Sequence, residues 1–148
     1  MNGSPEKNGN TYRIGEELLK GHEHEVLQMA DYKIYQYDQV YEDDQMKEVF
    51  QKIKDADVLV IGSPVYWYHV SGILKTFIDR LYMFSEASSL SGKKLYLFAQ
   101  GSDPSEDTKK AIRFLATRMC YLMGMELKGV SIGTSDGAEI LNEITITD

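Results

Sequence analysis

Three short segments of this 148-residue chain carry residue types suited to holding a phosphorylated or planar ligand. The first, Asn2-Gly3-Ser4-Pro5-Glu6-Lys7-Asn8-Gly9-Asn10-Thr11, is dense in small side chains, hydroxyls and amides and runs straight into a helical stretch. Its two glycines let backbone N–H groups turn inward, and Ser4, Asn10 and Thr11 offer neutral donors. The helix N-terminus adds positive partial charge, so a phosphate fits here without a strong cation. The same composition also builds an ordinary turn and N-cap. No Gly-Lys-Ser/Thr follows and the glycines are not spaced Gly-x-Gly-x-x-Gly, which sets aside the Walker and dinucleotide loops.

The second segment, Gly62-Ser63-Pro64-Val65-Tyr66-Trp67-Tyr68-His69, places three consecutive aromatics and a histidine after an apolar run. Aromatics there can pack beside a planar ring whose polar edge bonds to the flanking backbone. They can equally cover the sheet end or a contact between two copies. In the third, Gln100-Gly101-Ser102-Asp103-Pro104-Ser105-Glu106, the Gly and Ser suit close approach to a ligand, and the same string suits a capped helix start. His69 reads first as a surface or packing histidine, and His22 and His24 as a solvated pair. Cys120 reads as a small core residue in a helix. A single cysteine allows no internal disulfide and no cysteine-ligated cluster, and points to a reducing, cytoplasmic setting.

The elements that must position these loops follow from periodicity. Ile14 and Leu18 predict a helix from Asn10 to about Lys20, stopped by Gly21, and Glu25–Met29 is a modest strand candidate. Residues 30–42 are tyrosine-rich and ambiguous. Met46, Val49, Phe50 and Ile53 predict a helix over 43–54, opened by Asp43 or Asp44. The β-branched run 57–62 and Lys94–Ala99 read as strands covered on both faces, and 127–132 as a weaker one. Val70, Ile73, Leu74, Phe77, Ile78 and Leu81 predict the helix that follows the aromatics, and 106–123 a longer one. Helices alternating with short buried strands predict a single α/β domain over residues 1–148, a doubly wound parallel sheet in three layers.

Composition excludes several classes. The chain carries 16 Lys+Arg against 23 Asp+Glu, a net charge of −7, which is the wrong sign for a nucleic-acid surface. Its 43% hydrophobic and 26% charged residues argue against wholesale disorder. Its apolar runs fall short of the ~20 residues a membrane span needs, and the polar start lacks a signal-peptide core.

The residues Gly3-Ser4-Pro5-Glu6-Lys7-Asn8-Gly9-Asn10-Thr11 resemble the phosphate loop of the flavodoxin-like NAD(P)H-dependent FMN reductase and quinone reductase family, whose pattern is G-S-P-R-K-N-G-N-T. Ala56-Asp57 through Gly62-Ser63-Pro64-Val65-Tyr66-Trp67, then Val70-Ser71-Gly72, Leu74-Lys75 and Phe77-Ile78-Asp79-Arg80, resemble its second signature. The resemblance implies FMN bound non-covalently. Ser4, Asn8, Asn10 and Thr11 would hold its phosphate with Lys7 beside them, and Pro64, Val65, Tyr66 and Trp67 its isoalloxazine. Gly101 and Ser102 would stand in the loop covering the other side. It further implies electron passage from NADH or NADPH through FMN to a quinone, nitro or azo compound or other small acceptor, in a homodimer.

The chain departs from that pattern in four places. Glu6 replaces the arginine after Ser-Pro, placing a carboxylate near the expected phosphate, where repulsion costs on the order of 1 kcal/mol. The tyrosine-rich segment 32–41 lacks the cysteines that some relatives use for an iron–sulfur centre. Only Met1-Asn2 precede Gly3, so the family's first strand, central in the sheet order 2-1-3-4-5, is missing. The last helix is likewise replaced by the tail 134–148, in which Glu143–Thr147 alternates like a strand. That tail is expected either to insert in the central slot, from its own chain (antiparallel) or from a dimer partner, or to return as an edge hairpin through Thr134–Gly137. The leading functional reading is the FMN-dependent oxidoreductase. The alternatives are a flavodoxin-type electron carrier and a flavodoxin-fold binding module that has lost FMN.

Overall fold

The computed structural model describes residues 1–83 and 87–147, apart from the side chains of 87 and 88. Strand β1 (Val58–Tyr66) pairs in parallel with β3 (Lys94–Gly101), with Val58 opposite Lys94 and Pro64 opposite Gln100. Strand β3 pairs in parallel with β4 (Glu126–Thr134), and the two-residue β2 (His69–Val70) folds back antiparallel on the end of β1. The sheet order is β2-β1-β3-β4, and its parallel strands are joined by helices, as predicted.

Alternation along β3 divides the core. Leu95, Leu97 and Ala99 face α2 (Met46–Asp55), α3 (Gly72–Arg80) and α4 (Glu106–Met123), whose apolar stripes cover that side. Tyr96 and Phe98 face Ile14 and Leu18 of α1 (Asn10–Leu18), and Ile140 of α5 (Ala138–Glu143). Local chemistry sets the helix ends. Ser71 Oγ accepts from Leu74 N and Ser105 Oγ from Thr108 N, while Gly124 takes the left-handed conformation (φ 68°) that ends α4. Asp44 Oδ1 accepts from Met46 N, as expected of a carboxylate at the start of α2. Among the described residues no helix is long and apolar enough to cross a membrane.

The centre of the sheet is held by three residues. Gly62 N donates to Met1 O (3.0 Å) and Gly3 N to Gly62 O (2.8 Å); on the other side Asn2 N donates to Leu27 O and Met29 N to Asn2 O. Met1 therefore ends against β1, its amine donating to Val60 O at 2.7 Å. Below it the edge of β1 faces a cavity of about 620 Å³, whose lining includes Leu19, Leu27, Ile53, Val58 and Ile146. The strand expected over Glu25–Met29 is absent for the same reason: beyond Asn2 it has no neighbour to pair with, and only Gln28 makes a bridge.

The tail takes neither expected course. After the turn closed by Gly137 N→Thr134 O the chain forms the short helix α5, and Ile144 and Ile146 then pack onto the sheet face beside Val60 and Tyr96. Thr147 N and Oγ1 both meet the Tyr96 hydroxyl at 3.1 Å. The alternation of Ile144 and Ile146 is satisfied by burial on a face rather than by a strand ladder. The ambiguous tyrosine-rich segment is irregular and pinned from one point. Asp44 receives Arg80 through two N–H groups (2.6 and 3.1 Å) and the Tyr35 amide, while Arg80 also donates to Tyr35 O.

Candidate functional site

The three loops singled out in the sequence converge at the carboxyl end of the strands. The first is shaped by Asn2, whose buried amide donates to Gln28 Oε1 (2.7 Å) and whose Oδ1 accepts from Ser4 N (3.1 Å). Ser4 Oγ, also buried, accepts from Glu6 N, and Gly9 N closes a turn on Glu6 O. Helix α1 then opens at Gly9 with no side-chain cap, so its first amides stay available to an external acceptor. Buried Thr11 accepts at Oγ1 from Gln100 Nε2 at 3.0 Å. That bond ties the end of β3 to the start of α1 and leaves the Thr11 hydroxyl proton able to donate to a further acceptor.

The rest of the first loop lies in solvent. Asn8 and Asn10 are exposed, Glu6 is exposed, and the Lys7 ammonium pairs with Asp31. Lys7 is thus turned toward the 29–31 segment, and the groups at the start of α1 are neutral donors.

The second loop is tied to the first through buried hydroxyls. Ser71 Oγ donates to Gly3 O (2.5 Å), Ser71 N donates to Ser63 Oγ (2.9 Å), and Ser63 Oγ donates to Pro64 O (2.8 Å). Pro64 is buried beneath the hairpin, in which Val65 pairs with Val70 and Tyr66 with His69. The turn residues Trp67 (φ 46°) and Tyr68 (φ 62°) both adopt left-handed backbone. For bulky side chains such conformations are strained, on the order of 1–3 kcal/mol each. Burial, with the Lys75 charge adding to it, holds the His69 imidazole below its ordinary value, so it is mostly neutral at pH 7.

Val65, Tyr66, Trp67 and Tyr68 face Gly101, Ser102, Asp103, Pro104 and Ser105 across a cavity of about 610 Å³. Gly101 lets the two walls approach closely: a Cβ there would stand 3.2 Å from Val65 Cβ, a tight contact. Gly62 is needed for the same reason deeper in the sheet, where a Cβ would come within 2.3 Å of the Phe98 ring and 2.9 Å of Thr11 Cγ2. The cavity therefore gathers five of the expected residues (Val65, Tyr66, Trp67, Gly101, Ser102), while Ser4 and Thr11 sit in the buried block below the first loop. Asn2, Ser71 and Gln100, which organise the site, were not singled out; polar residues at strand ends and inside the second signature were their only sequence signal. Cys120 is buried in the core and its thiol is pushed up to about 11, which removes it from nucleophilic chemistry.

A family model described as NADPH-dependent FMN reductase matches residues 1–127. An iron–sulfur flavoprotein of Archaeoglobus fulgidus is 36% identical over 54% of this chain and 46% of its own length. A putative NAD(P)H-dependent FMN-containing oxidoreductase of Bacillus subtilis, YwqN, is 25% identical over 90% of this chain and 82% of its own length. Other curated relatives are named iron–sulfur flavoproteins or FMN-dependent NADH:quinone oxidoreductases, and of these the chain spans 48–56%. The solved structure of Trp repressor binding protein from Bacillus subtilis shares the fold, with a TM-score of 0.75, 24% identity and coverage of 96% of this chain and 87% of that one.

Proposed function

The chain belongs to the NADPH-dependent FMN reductase family, and from that premise we propose that it binds FMN and passes electrons from NADH or NADPH to a quinone or another small acceptor. The observation that carries the reading is Thr11, a buried hydroxyl that accepts from Gln100 and keeps its own proton to donate, beside α1 amides without a cap. A phosphate monoester supplies the acceptor this arrangement lacks. Ser4, Asn8 and Asn10 complete the donor set around it, and Lys7 contributes charge at longer range.

When bound, FMN supplies hydride acceptance and electron transfer; the protein supplies position and surroundings. Val65, Tyr66 and Trp67, backed by buried Pro64, would form one wall for the isoalloxazine and Gly101 with Ser102 the other. The neutral His69 can hydrogen-bond at the ring's rim without adding positive charge. We place the protein in the cytoplasm as a homodimer, a reading supported by the single buried thiol and by exposed Phe114, Tyr121 and Leu122 along α4. The test is steady-state oxidation of NADH and NADPH by FMN-loaded protein with menadione as acceptor. Turnover with either nicotinamide supports the reading, and none with both contradicts it. A flavodoxin-type carrier is the second reading, favoured by a net charge of −7 that suits a basic redox partner. Its mark is FMN that dithionite reduces and neither nicotinamide does.

A further inference from the structure

We propose that the edge of β1 below Met1 docks an extended apolar peptide segment preceded by lysine or arginine, supplied by a partner polypeptide and seated between β1 and the 25–28 segment. The backbone bonds already made there define the seat. Asn2 bridges in parallel to both Gly62 and Gln28. Gly62 N donates to Met1 O and Val60 O accepts from the Met1 amine, whereas Asp57 O accepts from Lys94 N on the opposite edge. In an extended strand the N–H and C=O of one residue point to the same edge and those of the next residue to the other. The amides of Val58 and Val60 and the Val58 carbonyl therefore face the cavity of about 620 Å³. Across it, Leu27 O accepts from Asn2 N, which turns the Leu27 amide toward the same space. None of these four groups has a hydrogen-bond partner among the described residues. Backbone groups in such a row are met by an added strand.

The lining selects what that strand carries. Its side chains would alternate between two apolar faces, with Leu27 and Ile53 on the α2 side and Leu19 and Ile146 on the α1 side. A segment covered on both faces reads as a continuous run of valine, leucine and isoleucine. Alongside residues 57–60 it is about four residues long, at ~3.3 Å each. The rim is acidic. Exposed Glu23, Glu25, Asp55 and Asp57 line it beside His22, His24 and one lysine, Lys52, which is already paired with Glu25 at 2.6 Å. An occupant parallel to Met1–Gly3 enters beside Asp55 and Asp57 with its N-terminal end, so basic residues belong there. The chain's own tail has the wrong sign, with Glu143 and Asp148, and its Ile144 and Ile146 already pack beside Val60 and Tyr96.

The test is the anisotropy of a fluorescein-labelled KKVLVI amide titrated with the 148-residue chain, with exchange of the chain's backbone amides followed by NMR. Saturable binding at micromolar concentration, with slowed exchange at Val58, Val60 and Leu27, is the expected result. A KKVPVP amide, whose prolines lack the donor and fix φ, should bind about tenfold more weakly or worse. An EEVLVI amide should lose about as much at low salt, and the gap should narrow at 0.5 M salt. Absence of saturable binding, equal affinity for the proline or the acidic peptide, or slowed exchange confined to other amides each overturns the proposal. So does equal binding of EITITD, the sequence of the chain's tail, which would assign the seat to a second copy of this chain. None of these readouts involves a flavin, so they stand apart from the functional reading above.

Discussion

Ser71 Oγ lies 2.5 Å from the Gly3 carbonyl, and by that one bond the cap of α3 becomes a strut between the two ends of the candidate site. The same residue donates its amide to Ser63 Oγ, which in turn donates to Pro64 O. The first loop and the aromatic loop are therefore fixed relative to each other by buried hydroxyls.

Replacing Ser71 by Ala removes the cap and leaves the Gly3 carbonyl without its donor. The expected cost is about 1–3 kcal/mol of stability, with a weaker FMN complex although Ser71 touches no ligand. Urea denaturation and FMN titration of the variant read the two effects. Unchanged FMN affinity would show that the strut does not set the spacing of the loops.

Thr11→Val keeps the volume and deletes the hydroxyl, stranding Gln100 Nε2 as well. If Thr11 serves the phosphate, FMN affinity should fall about tenfold or more while riboflavin affinity stays nearly level. Parallel titrations with the two flavins check this. An equal loss for both would move Thr11 from phosphate recognition to simple packing.

Glu6 stands exposed on the loop, so in the proposed site its carboxylate would act through space on the phosphate dianion. Glu6→Gln should tighten FMN binding about fivefold at low salt, on the order of 1 kcal/mol, and much less at 0.5 M salt. A Kd insensitive to both substitution and salt would place the phosphate elsewhere.

Burial of the Met1 amine lowers its pKa from 8.0 to about 6. An unfolded chain with the ordinary value takes up a proton between these limits that the folded chain resists. The amine's contribution to stability is thus fully present above about pH 8 and lost as pH falls toward 6, by about 3 kcal/mol at most. Acetylation of the amine, which the adjoining 620 Å³ cavity can accommodate, should flatten that region of the profile. Denaturation midpoints at pH 6 and pH 8 for both forms decide it, and identical slopes would contradict the assignment.

Elements whose burial is decided locally were legible in the chain. The stripe Leu74, Phe77, Ile78 reads as α3, and the runs through Ile61 and Leu97 read as strands covered on both faces. Glu25–Met29 and the tail failed for one reason: alternation records burial, and a strand also needs a neighbour. Leu27 is buried yet has only the Met1–Gly3 stub beside it, and Ile144 and Ile146 bury themselves on a face. In the site, the loops announced themselves by composition. The roles of Ser71 and Gln100 arise from contacts 68 and 89 residues apart in sequence. Local patterns do not carry that information.

The most direct measurement is a titration of ligand-stripped protein with FMN, followed by the quenching of flavin fluorescence and of Trp67 emission together. Saturable quenching of both signals at one molecule per chain, with riboflavin binding more weakly, is the predicted result. No change in either signal up to millimolar FMN would contradict the account at its root.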